Sequence, residues 1–380
     1  MTHKRFSVLL VALLVLSAAQ WGCCPAPPDP STYPETIVGI AAAGDALIAS
    51  TSKGAILGLD RKDLTVLWRT ELPSRDFTIL EGSTDAVFAF QQSGEVTRVL
   101  KDGQVAWTIK PSAGIGELFA IGKTVLFCKE EILTAFDPET GAPLWESRIP
   151  GLSSYSILGL LFFDEFIAFG EFIAIAHRDG VTCVRLSDGQ PLWSAPCKKI
   201  TSMAYDPEAD ALVVAIGKTI QWLDAKTGSV VRQLKLRSKI SALAVLPSSL
   251  LTVTDGRDFA LLDKTTGFLQ KDLAIRNRGH FRMLVEAGTD PEDLRRPDLW
   301  VYRWPGNGIG VMDINRRKDY GPEGLPYSLE CVVLLDNEVF FLEFIQQTIV
   351  RADLATLEAT MVRDPLHPEN EILLEDFMYW

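Results

Sequence analysis

The stretch Ala135-Phe136-Asp137-Pro138-Glu139-Thr140-Gly141-Ala142-Pro143-Leu144-Trp145 reads as one structural phrase. An apolar strand ends on an Asp, a turn closes on a Gly, and a second strand carries a Trp eight residues after the Asp. The chemistry is that of a hairpin. The Asp carboxylate accepts bonds from nearby backbone amides, and the Gly takes the positive φ that the turn requires. The phrase returns as Trp222-Leu223-Asp224-Ala225-Lys226-Thr227-Gly228 and as Leu261-Leu262-Asp263-Lys264-Thr265-Thr266-Gly267. A worn copy, Gly58-Leu59-Asp60, reaches Trp68 after the same eight-residue step. Shorter turns run from Asp102-Gly103 to Trp107 and from Asp188-Gly189 to Trp193, and weaker copies centre on Asp313 and Asp353.

Aligned on the Asp position, the copies fall at 60, 101, 137, 187, 224, 263, 313 and 353, with Lys101 and Ser187 standing in for Asp. The mean step of about 42 residues is the length of one four-stranded propeller blade. Between the phrases lie short β-rich runs bounded by turn residues, such as Thr182-Cys183-Val184-Arg185-Leu186 and Ala211-Leu212-Val213-Val214-Ala215. The expected fold is all-β: an eight-bladed β-propeller of four-stranded antiparallel blades, or seven blades if the last two repeats merge. Each Trp after a turn is expected to cover a neighbouring blade with its ring, and the Trp and Asp residues of the phrase are read as structural.

Working outward, the amino terminus is an address. Lys4 and Arg5 precede an uncharged Leu/Val-rich run from Phe6 to Ala19, too short for a settled membrane span and fitting a signal-peptide core. Gly22 before Cys23 suits a lipoprotein junction, whereas Gln20 departs from the aliphatic residue such a junction favours. Lipid attachment at Cys23 is expected, with Cys24 as the alternative acceptor. Ordinary cleavage nearby would instead leave the two as thiols or a vicinal disulfide. Five prolines within residues 25–34 describe an extended tether. The expected organisation is therefore a signal peptide over 1–22, anchor and tether over 23–35, propeller over 36–371, and a tail over 372–380 available for ring closure.

Loss of Lys4 and Arg5 with the leader takes the net charge from −12 to −14, because all 49 acidic residues lie later. An acidic body excludes nucleic acid as the expected partner and, by net charge, disfavours a basic grip on anionic lipid. Cys128, Cys183, Cys197 and Cys331 are too scattered for a disulfide framework and are read as buried thiols.

The repeated phrase resembles the PQQ-like, quinoprotein alcohol dehydrogenase-type repeat family over about residues 36–365. In the name-giving dehydrogenases this resemblance implies a quinone above Ca²⁺, an Asp base and a stacked vicinal disulfide. This chain is shorter than those enzymes, and its only vicinal pair, Cys23-Cys24, sits in the leader junction. Asp290, Glu292 and Asp293 lack the Gly and terminal Glu of a calcium loop. His177, His280 and His367 have no metal-ligand spacing, and His177 reads as a turn residue. Gly306-x-Gly308-x-Gly310 reads as a loop entering a strand rather than a nucleotide fingerprint. No catalytic residue, cofactor or metal is therefore expected.

A second branch of the family, the anchored lipoprotein propellers of the outer-membrane β-barrel assembly machinery, implies a different role. Leader, tether, blade number and lack of catalytic groups all resemble that branch. The expected role is a membrane-anchored, non-catalytic scaffold for envelope proteins, in outer-membrane protein assembly, held by an N-terminal lipid at the outer membrane and facing the periplasm. A sensor or carrier of a small ligand in the propeller channel is the alternative, and a quinone-dependent dehydrogenase a weaker one.

Two repeats run near 50 residues and carry insertions. The fourth holds a Phe-rich run over 160–172, read either as a docking loop or as two buried strands. The seventh holds Arg295 and Arg296 ahead of Trp300, Tyr302 and Trp304. Arg and aromatic residues dominate binding hot spots, and projecting loops carry recognition. Those five residues form the expected partner surface.

Overall fold

The computed structural model describes residues 34–74, 78–91, 93–111, 117–121, 124–152, 166–246, 248–254, 258–276, 283–286, 299–304, 308–313, 318–319, 329–336, 338–343, 348–353 and 359–368. They build eight four-stranded sheets, each a simple antiparallel meander in chain order. Sheets 1 to 8 span residues 37–71, 78–109, 117–148, 166–195, 200–235, 240–276, 283–319 and 329–363. The fold class is thus all-β and propeller-like, as the repeat predicted.

Seven of the eight aligned positions fall on the last residue of a third strand or directly after it: Ile132–Phe136 leads into Asp137, and Thr219–Asp224 and Asp258–Asp263 end on their Asp; Ser187 lies two residues past Gly180–Arg185. The reason is local. Asp137 Oδ1 accepts from the Thr140 amide at 2.7 Å and the Thr140 hydroxyl at 2.9 Å. Asp224 does the same with Thr227, at 2.8 Å for both bonds, and Asp263 with Thr266 at 2.6 and 2.7 Å. The amides of Gly141, Gly228 and Gly267 then bond back to the carbonyls of Asp137, Asp224 and Asp263. A register shift follows in the ladder between third and fourth strands, between Ala135 and Phe136, Trp222 and Leu223, and Leu261 and Leu262. Such a bulge twists the fourth strand more strongly.

Burial follows position within each sheet. In sheet 1 the third strand, Ala55–Leu59, is buried throughout, whereas the fourth, Val66–Glu71, alternates between exposed and half-buried. The inner strands are covered on both faces by neighbouring sheets, so they read as continuous apolar runs; the outer strand meets water. Apolar layers fill the seams. Leu126, Cys128 and Leu133 of sheet 3 pack with Ile173, Ile175 and Val184 of sheet 4. Leu47, Leu57 and Leu59 of sheet 1 pack with Phe340, Leu342 and Ile349 of sheet 8. Each fully buried side chain of this size contributes roughly 1.5–3 kcal/mol.

The Phe-rich run resolves partly into strands. Phe166–Phe169 and Phe172–His177 are the first two strands of sheet 4, and Phe169 stacks on Tyr205 of sheet 5 with ring centroids 4.8 Å apart. Residues 160–165 lie outside the described residues. Gly308 and Gly310 belong to the strand Gly308–Asp313, as expected of a loop entering a strand. Cys128, Cys183 and Cys197 are buried thiols outside any disulfide, and burial pushes the Cys183 thiol up to about 12, where it is inert.

Candidate interaction surface

The meander gives each sheet two distinct ends. One end carries the hairpin between first and second strands together with the Asp-Gly turn between third and fourth. The other carries the loop between second and third strands and the crossover to the next sheet. The first end is stitched from sheet to sheet by two recurring devices.

The Trp ladder is the first. Trp68 donates its indole N–H to the Lys101 carbonyl at 3.1 Å, Trp107 to Pro138 at 2.9 Å, Trp145 to Leu186 at 2.7 Å and Trp193 to Ala225 at 2.9 Å. Each ring thereby covers the turn of the following sheet, and the turn glycine is what allows the approach. A Cβ on Gly189 would lie 2.3 Å from the Trp145 ring, and one on Gly228 would lie 2.4 Å from Trp193. Arg232 occupies the Trp position of sheet 5. Its guanidinium lies 4.2 Å over the Trp222 ring and donates to the Thr265 carbonyl of sheet 6.

Cations reaching into a neighbouring sheet, back or forward, are the second device. Arg61, in the turn of sheet 1, bonds Asp336 and Glu338 of sheet 8 at 3.0 Å each. Lys264 of sheet 6 bonds the buried Asp206 at 3.0 Å and Glu208 at 2.7 Å in sheet 5. Arg98, only 3% exposed, joins Asp85 at 2.6 Å to Glu139 of sheet 3 at 2.7 Å. Arg351 of sheet 8 also donates to the Arg61 and Lys62 carbonyls, and Arg363 to that of Asp63. A shallow cleft at this seam is lined by Asp60, Arg61, Lys62, Glu338 and Arg351. Arg61, Glu338 and Arg351 are already paired with one another's sheets across the seam, so it reads as a joint between sheets. Sequence reasoning found the Trp positions but missed the cations; the only signal was a Lys or Arg directly after the Asp at 60 and 263.

The polar group around His177 is structural in the same sense. His177 bonds the Thr182 hydroxyl at 2.9 Å, Thr182 bonds Ser194, and burial holds the imidazole below its ordinary pKa. Among the described residues no group of three or more His, Cys, Asp or Glu is arranged to hold a metal ion.

The residues expected to bind a partner are distributed as follows. Trp300, Tyr302 and Trp304 occupy alternate positions of Leu299–Trp304, the second strand of sheet 7, with Tyr302 opposite Leu284 on one side and Gly310 on the other. Arg295 and Arg296 lie outside the described residues, as do Cys23, Asp290, Glu292, Asp293 and residues 372–380. The strand ends that flank residues 287–298, Glu286 and Leu299, belong to the end of sheet 7 that bears the Asp-Gly turns in its neighbours. The fourth-repeat insertion falls between Leu152 and Phe166, in the crossover from sheet 3 to sheet 4, and so belongs to the opposite end.

A family model described as outer membrane protein assembly factor BamB matches residues 31–117 and 128–280, more than half of the chain. This chain belongs to that family. Solved structures agree on the fold. The BamB of Moraxella catarrhalis aligns with a TM-score of 0.57 and 13% identity, covering 84% of this BamB-family chain and 98% of that one. The computationally designed Ika8 protein aligns at 0.61 and 17% identity, covering 81% and 93%, and apo AztD of Citrobacter koseri at 0.55 and 11%, covering 83% and 93%. No curated protein sequence matches.

Proposed function

We propose that this BamB-family chain is a non-catalytic propeller scaffold that binds other proteins of the bacterial envelope in outer-membrane protein assembly. The observation that carries the reading is the family match over residues 31–117 and 128–280, the stretch that holds the first six sheets. The fold supports it: the polar and aromatic residues of the repeats are spent on joining sheets, which leaves a rigid body whose insertions are free to recognise partners. In this reading the eight sheets are the eight blades of one ring, and the body is held at the outer membrane, facing the periplasm, by an acyl group on Cys23 and a tether over 24–35.

The docking surface is assigned to the seventh repeat: Arg295 and Arg296 between the first two strands of sheet 7, with Trp300, Tyr302 and Trp304 on the second. The test joins anchor and surface. Cys23→Ala, with Cys24→Ala as its companion, moves the protein from the membrane to the soluble periplasmic fraction. Arg295→Glu with Arg296→Glu abolishes recovery of barrel-assembly components after crosslinking in whole cells, at an unchanged melting temperature. Full recovery by the arginine variant removes the seventh repeat as the docking site. A native chain that never crosslinks to an assembly component rejects the scaffold role.

A further inference from the structure

The acidic chain has a basic end. Sheet 5 and the adjoining edge of sheet 4 send Arg178, Lys198, Lys199, Lys218, Lys235 and Arg237 to the end that carries the second-to-third-strand loops and the crossovers. All six are exposed. Backbone pairing brings them together. Lys199 precedes Ile200, which pairs with Ile216 just before Gly217-Lys218. The Leu236 amide bonds the Lys218 carbonyl at 2.8 Å, and Lys235 lies opposite Thr219. Arg178 sits in the loop beside Gly180, whose backbone abuts the Ala195 carbonyl and the Cys197 amide at the start of the crossover bearing Lys198. The acid within this group is Asp179, 3.9 Å from Arg178. At the other end of sheet 5 the signs reverse: Asp206, Glu208, Asp210 and Asp224 gather there, with Lys226 and Lys264 as their partners. Lys199 is also held at φ +62°, a left-handed conformation that a Lys side chain seldom adopts.

We infer that this end of sheets 4 and 5 is a docking surface for anionic phospholipid headgroups. Two observations favour a bilayer over an acidic protein. The six residues are mainly Lys on separate loops of one end, a spread of point charges and not the cluster of Arg and aromatic side chains that marks a protein hot spot. The first strand, Ile37–Ala43, also begins at the crossover end of sheet 1, the kind of end that carries the lysines in sheets 4 and 5. The inference rests on the anchored reading above. A single acyl chain holds a protein at a membrane only marginally, and a basic patch supplies the second attachment. Net charge of −12 does not oppose this, because a charge acts on a surface only within about a Debye length, roughly 8–10 Å.

The test uses the full chain with both Cys23→Ala and Cys24→Ala, so that no acyl group contributes. It is sedimented with vesicles of phosphatidylcholine alone and with vesicles containing phosphatidylglycerol. Association is expected with the second only, and added salt should remove it. Combined Lys198→Glu, Lys199→Glu, Lys218→Glu and Lys235→Glu should lower the partition coefficient on the order of tenfold or more, since each basic residue near an anionic surface contributes about 1 kcal/mol. Lys62→Glu with Lys226→Glu, on the opposite end, should change it less than about twofold. Equal association with both vesicle types, or an unaltered partition after the four reversals, overturns the proposal. So does recovery of an acidic envelope protein through the same lysines without vesicle binding. If the four reversals lower the melting temperature, the salt and headgroup dependence of the unreversed chain decides alone. Release of the native chain on Cys23→Ala is a separate measurement, so failure of the anchor and failure of the patch are distinguishable.

Discussion

Glu81 lies on the first strand of sheet 2, Thr78–Gly82, where its carboxylate accepts a bond from the Ala120 amide of sheet 3. Burial outweighs that bond and pushes the group up to about 7. In the unfolded chain it ionises near 4.5, so between about 4.5 and 7 folding takes up a proton and stability falls as pH rises. Above 7 the folded state carries a poorly solvated charge. Glu81→Gln should therefore gain urea resistance over the parent by about 1–3 kcal/mol at pH 8 and by much less at pH 5. Equal gains at the two pH values would reject a carboxylate held neutral by burial. Gly189 tests the other kind of residue. It sits at φ +70° under the Trp145 ring, so Gly189→Ala adds both backbone strain and a steric clash. The expected loss is roughly 2–4 kcal/mol in denaturant melts. Gly170→Ala, which meets nothing within 4 Å at φ +57°, should show the backbone cost alone.

At the level of the element, the outer strand does two jobs in sheets 1 to 4. It offers exposed positions to water, and it turns one indole onto the next sheet. In Trp193 the N–H bond to Ala225 is buried, whereas in Trp68 the bond to Lys101 is exposed. Trp193→Phe strands a buried carbonyl and should cost about 1–3 kcal/mol; Trp68→Phe leaves a carbonyl that water can reach and should cost about 1 kcal/mol or less. Comparing the two in thermal melts isolates burial from loss of the bond, and equal losses would show that ring packing alone sets the value. Arg232 marks where this element departs from its pattern. A planar cation has replaced the indole, keeping a donor to the next turn while stacking on Trp222.

Across the whole molecule, the contact of sheet 8 with sheet 1 brings together residues nearly 300 positions apart in the chain. An apolar layer of Leu47, Leu57, Leu59, Phe340 and Ile349 is roofed by Arg61, Arg351 and Arg363, whose guanidiniums bond across to acids or carbonyls of the facing sheet. Arg61→Ala with Arg351→Ala should lower stability by roughly 2–3 kcal/mol and open the chain to limited proteolysis near this seam. An unchanged urea midpoint and cleavage pattern would show that the apolar layer closes the contact unaided.

The hairpin chemistry was legible in the sequence because it is local. An Asp carboxylate reaches only the next two or three amides, and a Gly at positive φ is needed within the same turn. The aligned positions therefore landed at third-strand ends even where Lys101 replaced Asp, and only Ser187 fell two residues late, in a shorter turn. Fold class followed from the period of that phrase, and the family from the resemblance of its residues to known repeats, which the family model bears out. Beyond the expectation that each Trp covers a neighbouring blade, contacts between repeats were not legible, since they depend on which residues stacking sheets bring level with one another. The carbonyl that each Trp reaches, the acids that Arg61 and Lys264 find, and the substitution of Arg232 for an indole have no signature within one repeat. The separation of charge is of the same kind. Along the sequence, Lys198, Lys199, Lys218 and Lys235 alternate with Asp206, Glu208, Asp210 and Asp224 in a nearly balanced stretch. The antiparallel meander sorts them, carrying the lysines to one end of the sheet and the acids to the other, because each strand reverses direction between one group and the next.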